Sequence, residues 1–128
     1  MIEKLRELQN NSYSPYSHYK VSAIAVMKDG REFVGVNVEN ASYGATICAE
    51  RSAILSAISN GYHKGDFKEL YVMVSSEKVG MPCFLCRQVI SELFDKDCMI
   101  HCVTIDGKIE DYTVSQICPY PFGEEDLK

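Results

Sequence analysis

Three of the chain's six cysteines stand where metal chemistry is easily built. Cys48 opens the run Cys48-Ala49-Glu50-Arg51, and Cys83 and Cys86 form a C-x-x-C within Pro82-Cys83-Phe84-Leu85-Cys86-Arg87-Gln88. Each piece falls where an apolar-periodic helix is expected to begin. A helix N-terminus lowers a thiol's pKa and so favours the thiolate, the form that binds metal. Cys83 and Cys86, at i and i+3, share one face of their helix. Three sulfur ligands leave one position of a tetrahedral zinc open, which is the catalytic arrangement and not the closed structural one. Glu50, two residues after Cys48, can share such a site without being a ligand. The set predicts a metal-activated water with its own proton carrier. Three thiolates give the ion's shell a net negative charge, which makes a bound water harder to ionise. Arg51 and Arg87 each directly follow a piece of this ligand set and are expected to offset that charge. The plainer alternative for each is a surface salt bridge.

The same thiols admit other readings. A C-x-x-C also suits a redox dithiol or two buried thiols. A redox dithiol leaves Cys48-Ala49-Glu50 without a role. A structural zinc wants a fourth ligand, and His18, His63 and His101 carry no ligand spacing. Cys98, Cys102 and Cys118 read as small buried hydrophobes. An even cysteine count would suggest disulfides in a small secreted protein, but a C-x-x-C in a chain of this kind reads as metal-binding.

The elements that must hold these groups follow from periodicity and punctuation. With 128 residues, 46 % of them hydrophobic, the chain suits one domain with a real core, spanning 1–128. No apolar run reaches the roughly 20 residues of a membrane span, and the first residues mix charges, so a soluble cytoplasmic protein is expected. The formal net charge of −5 disfavours a polynucleotide partner, whose affinity rests on Lys and Arg neutralising phosphate. Ile2, Leu5 and Leu8 predict a leading amphipathic helix over 2–10. Residues 21–27 read as a strand buried on both faces, Asp29-Gly30 as a hairpin turn, and 32–38 as the returning strand. Alternation then points Asn37 and Glu39 to one side. They form either a solvated edge or a donor and acceptor for a polar ligand. Helices are expected from Cys48 to Ser59 and from Pro82 to about Phe94, and strands over 70–74, 99–105 and 109–114. The tail Cys118-Pro119-Tyr120-Pro121-Phe122 cannot be a long helix. The order α-β-β-α-β-α-β-β predicts an α/β fold with helices covering a sheet.

Four pieces together resemble the cytidine deaminase family, in its small zinc-dependent nucleoside type. They are Asn37-Val38-Glu39-Asn40-Ala41, Cys48-Ala49-Glu50-Arg51, Pro82-Cys83-x-x-Cys86-Arg87-Gln88, and Pro119-x-x-Phe122 followed by Glu125-Asp126-Leu127. The resemblance implies a three-layer α/β/α domain with a five-stranded mixed sheet. It implies hydrolytic deamination of cytidine and 2′-deoxycytidine, releasing ammonia, in pyrimidine salvage. Cys48, Cys83 and Cys86 would hold zinc, and Glu50 would carry protons between water, N3 of cytosine and the leaving amine. Asn37 and Glu39 would hold the ribose 3′-hydroxyl. The Ala49 backbone would bind the pyrimidine carbonyl and the Met81 backbone the amino group. Tyr19 stands where the family often has Phe, stacking near the base. The small members are homotetramers, so Phe122 would cover a neighbouring subunit's site, and Tyr43 would reach across the same interface. The sequence departs from the family at Phe84-Leu85, usually Gly-Ala, and at Met81, usually a small hydroxyl residue. Rival readings are deamination of another aminopyrimidine compound, a non-catalytic zinc-stabilised binding module, and nucleic-acid editing. Paired Asn37 and Glu39 favour ribose over the first. Glu50 has no purpose in the second, and the negative charge disfavours the third.

Overall fold

The computed structural model describes residues 1–128. The strand β1 (Val21–Met27) lies at its centre, buried except at its first residue. It pairs antiparallel with β2 (Glu32–Val36) on one side and with β3 (Phe67–Val74) on the other. The hairpin turn between β1 and β2 places Gly30 at φ +93°, a conformation that glycine adopts without penalty. β4 (Met99–Val103) runs parallel to β3, and β5 (Ile109–Thr113) antiparallel to β4. The five-stranded mixed sheet therefore has the order β2-β1-β3-β4-β5.

Helices cover both faces, giving the three layers expected. α1 (Ile2–Gln9) buries Leu5 against Ile24, Val26, Met73 and Val103 on one face. On the other face, α2 (Ala49–Ser59), α3 (Phe84–Leu93) and α4 (Val114–Ile117) close the larger core. α3 lies in the crossover between the parallel strands β3 and β4.

The side chains of α2 that face the sheet, Ala49, Ala53, Ile54 and Ala57, are mostly small and all fully buried. Gly35 in β2 completes this approach. A Cβ built there would lie 2.5 Å from the Ala49 carbonyl oxygen and 2.5 Å from the Ala53 nitrogen. The helix backbone therefore rests on the strand backbone, and the start of α2 is fixed against the sheet.

Among the differences from expectation are three strand ends and one added helix. β2 stops at Val36 because the Asn37 side chain takes over the next bonds: its Oδ1 accepts from Val21 N–H at 2.9 Å and its Nδ2 donates to the Tyr19 carbonyl at 2.7 Å. Val38 makes only isolated bridges, to Tyr13 and Ile47. β3 begins at Phe67, ahead of the expected Leu70, because the Phe67 ring is buried and stacks on Phe94 with centroids 4.6 Å apart. β4 ends at Val103, and Thr104 turns the chain, its hydroxyl accepting from Lys108 N–H. α4 was not anticipated, although Thr113-x-x-Gln116 forms a capping box at its start.

Candidate active site

Cys48 is the N-cap of α2 and Cys83 the N-cap of α3, so both thiols sit at helix starts. The first N–H groups of each helix lack intrahelical partners and face this region. Cys83 Sγ lies 3.6 Å from Cys48 Sγ and 3.6 Å from Cys86 Sγ, and it accepts from Cys86 N–H at 3.5 Å. All three sulfurs lie within 4.8 Å of one another. Ligands on a tetrahedral zinc with Zn–S bonds of about 2.3 Å stand about 3.8 Å apart, so the set already has nearly the required spacing. Arg51 Nη2 donates to Cys48 Sγ at 3.4 Å, while its Nε is buried without a partner. A guanidinium held in this way is tolerated where strong negative charge lies beside it. The sulfurs, as thiolates, supply that charge, and the donor set fits zinc.

The electrostatics of the bare thiols point the same way. A hydrogen bond from Cys86 and, next, the Arg51 guanidinium hold the Cys48 thiol down at about 5. Cys86 moves up, through its bond to Cys48 and its burial. Glu50 is only 5 % exposed. Burial pushes its carboxyl up to about 7, and the Cys48 charge adds to the rise. A divalent cation on the sulfurs opposes that rise and favours the carboxylate.

Cys48, Cys83 and Glu50 open into a cleft whose walls include Tyr19, Asn37, Ala49 and Met81. The structure thus brings most of the expected groups into one place. Asn37 and Glu39 do turn to the same side, but both grip the segment before β1. Asn37 Oδ1 accepts from Ser12 and Val21, and Glu39 accepts from Tyr16 N–H, Ser17 N–H and the Ser17 hydroxyl. Glu39 lies with Tyr43 and Tyr16 on a shallower groove that shares Thr46 with the cleft. Tyr43 is 77 % exposed and meets Tyr16 edge-on.

Two residues lie apart. Arg87 is drawn away from the sulfurs: Nε donates to the Pro82 carbonyl at 2.7 Å, Nη1 to the Ile117 carbonyl at 3.1 Å, and the guanidinium covers the Phe84 ring. It braces the turn before Cys83 instead of facing the thiols, because two carbonyls left free at chain turns compete for it. Phe122 is not part of this chain's cleft. Its carbonyl accepts from Gln88 Nε2 at 2.7 Å, and the residue is 55 % exposed. Sequence reasoning missed the cleft-lining Val21, Thr46, Val72, Val74 and Gly80. Only Gly80 left a signal, as an isolated glycine just before the Pro82 helix start.

Comparison with known proteins agrees with this geometry. Residues 1–102 match the family model of the cytidine and deoxycytidylate deaminase zinc-binding region. A cytidine deaminase of Halalkalibacterium halodurans is 38 % identical over 99 % of this chain and 95 % of its own length. One from Sporosarcina psychrophila is 36 % identical, covering 99 % and 92 %. The 1.6 Å crystal structure of cytidine deaminase from Burkholderia pseudomallei superposes with a TM-score of 0.90 at 37 % identity, covering 94 % of this chain and 95 % of that one. With its three thiols spaced for zinc and its fold shared over nearly the whole length, the chain belongs to the cytidine and deoxycytidylate deaminase family of zinc-binding proteins.

Proposed function

We propose that this chain hydrolyses cytidine and 2′-deoxycytidine to uridine and 2′-deoxyuridine with release of ammonia, a step of pyrimidine salvage. The observation that carries the reading is the buried Glu50 carboxyl opening into the same cleft as the Cys48 and Cys83 thiols. Cys48, Cys83 and Cys86 hold zinc. When bound, the ion would supply Lewis acidity that brings the pKa of an attacking water toward neutrality.

The protein groups do the rest. The Ala49 N–H, at the free start of α2, donates to O2 of cytosine, and the Met81 carbonyl accepts from the 4-amino group. Glu50 takes a proton from the attacking water and delivers it to N3. As the C4–O bond is made and the C4–N bond breaks, Glu50 passes the second water proton to the departing nitrogen, which leaves as ammonia. Tyr19 forms a wall beside the base. Arg51, on Cys48, offsets the negative charge of three thiolates. Arg87 acts at one remove, by holding the Pro82 turn.

Ribose recognition uses what the loop leaves over. Asn37 has a second Nδ2–H beyond the one given to Tyr19, and Glu39 has one acceptor site beyond its three bonds. One can donate to a 3′-hydroxyl and the other accept from it. A chain-internal nucleotide lacks that hydroxyl, so cytosine within a polynucleotide is not a substrate. The assembly is a homotetramer in which a neighbour's Phe122 covers the base and Tyr43 reaches across the contact. Exposed Phe84, Leu85 and Tyr43 supply apolar surface for it.

Purified zinc-loaded protein incubated with cytidine tests the reading. Cytosine absorbance should fall as one ammonia appears per uridine formed. No ammonia from either nucleoside would refute it.

A further inference from the structure

Gly80 has no left-handed backbone that would demand glycine. What demands it is crowding. A Cβ built there would lie 2.6 Å from the Tyr19 hydroxyl and 2.8 Å from Val74 Cγ1, closer than real side chains approach. The Tyr19 phenol therefore rests in a notch that only glycine leaves open. The same three residues, Tyr19, Val74 and Gly80, belong to the wall of the cleft that also holds Glu50 and Cys83. None of them lies on α2; they come from the segment before β1, the end of β3 and the loop leading to α3.

The chemistry of cytosine determines what meets this wall. The inference rests on the deaminase reading, in which O2 and N3 face Ala49 and Glu50 on α2 and the amino group lies by the thiols. O2 and N3 form one edge of the ring, and C5 and C6 form the opposite edge. That carbon edge then points away from α2, toward Tyr19, Val74 and Gly80. We propose that the Tyr19–Gly80 pair is a specificity element that closes the cleft against substituents at C5 of the pyrimidine. A hydroxyl is about as bulky as a methyl group. The Tyr19 oxygen, kept in place by the Gly80 notch, occupies room that a 5-methyl group would need.

The test compares cytidine with 5-methylcytidine as substrates, and uridine with 5-methyluridine as calorimetric ligands. The proteins are the parent chain, Tyr19→Phe, Gly80→Ala and the double variant. One methyl group in a fitted pocket discriminates by roughly 10–200-fold, and the parent should prefer the unmethylated member of both pairs by a factor in that range. The preference should lie mainly in KM and in the uridine affinities. Tyr19→Phe removes one heavy atom from the wall and should bring each ratio to within about threefold, by the same measure. Gly80→Ala should drive the hydroxyl further into the cleft and raise KM for cytidine, and the double variant should recover the part of that loss that comes from Tyr19, a coupling expected of touching residues. If Gly80→Ala does not fold, the Tyr19→Phe ratios decide alone. Normal cytidine turnover with equal use of 5-methylcytidine by the parent, or a ratio unmoved by Tyr19→Phe, overturns the inference and leaves the deaminase reading standing. No cytidine turnover by the parent fails the reading itself, and the inference with it.

Discussion

Glu50 combines near-complete burial with a place two residues from a thiol ligand, and this sets what a substitution there would do. Gln matches its shape and can accept or donate one hydrogen bond, but it cannot carry a proton. Glu50→Gln should keep the fold and one zinc per chain while losing about 10²–10⁴-fold in kcat, or more, since one group serves several transfers. Zinc content by elemental analysis beside steady-state rates checks it; near-parent turnover would refute the assigned role. The residues of this centre were legible because their signal is local. Cys48, Cys83 and Glu50 follow from short spacings at helix starts, which a sequence displays directly. Arg87 was not legible in the same way, because the Ile117 carbonyl that draws it away stands thirty positions along the chain. Gly80 shows in the sequence only as a lone glycine in a loop, and the crowding by Tyr19 and Val74 that demands it exists only once the chain has folded.

Among the elements, α2 carries Cys48 and Glu50, and its seat on Gly35 decides where they point. A Cβ at position 35 meets backbone atoms of the helix, which cannot rotate away as a side chain would. Gly35→Ala should therefore push α2 outward and destabilise the fold by about 1–3 kcal/mol, toward the upper end of the range for overpacking. A domain of this size then melts roughly 5–15 °C lower. The displacement also separates Cys48 from the α3 thiols, so zinc should be lost to a chelator faster than from the parent. An unchanged melting temperature together with unchanged zinc retention would show that the helix does not rest on this strand. The helices and the central strands were readable from apolar periodicity and from Asp29-Gly30. The ends were harder. Lys68 and Glu69 obscure the start of β3, which the buried Phe67 fixes through packing on Phe94. Asn37 reads as the end of a strand or as a ligand group, and it turns out to replace the ladder with side-chain bonds to Val21 and Tyr19.

At the scale of the whole molecule, zinc and, in the proposed tetramer, a neighbouring subunit would supply what a single chain lacks. A ligand that binds only the folded state stabilises it by about 4 kcal/mol at a thousand times its Kd, so stripping zinc should lower the melting temperature in step with the zinc lost. Equal melting of stripped and loaded protein would mean that the three thiols hold no ion of structural weight. The C-terminal tail poses the sharper question. Gln88 fastens the Phe122 carbonyl to α3, Pro119 and Pro121 stiffen the approach, and the half-exposed Phe122 is no part of the wall of its own cleft. A large apolar ring held outward on a braced segment suits a site on another copy. Covering a nucleoside base with that ring contributes roughly 1.5–3 kcal/mol by area, so Phe122→Ala should raise KM by about 10–150-fold. Mixing separates the two possible owners of the ring. Glu50→Gln supplies native Phe122 without a proton carrier, and Phe122→Ala supplies native Glu50 without the ring. In reassembled mixed tetramers, some sites on Phe122→Ala chains receive the ring from a Glu50→Gln neighbour. Those sites should turn over cytidine at a KM near that of the parent, which neither variant shows alone. Mixed assemblies verified by native mass spectrometry that keep only the weakened KM would return Phe122 to its own subunit.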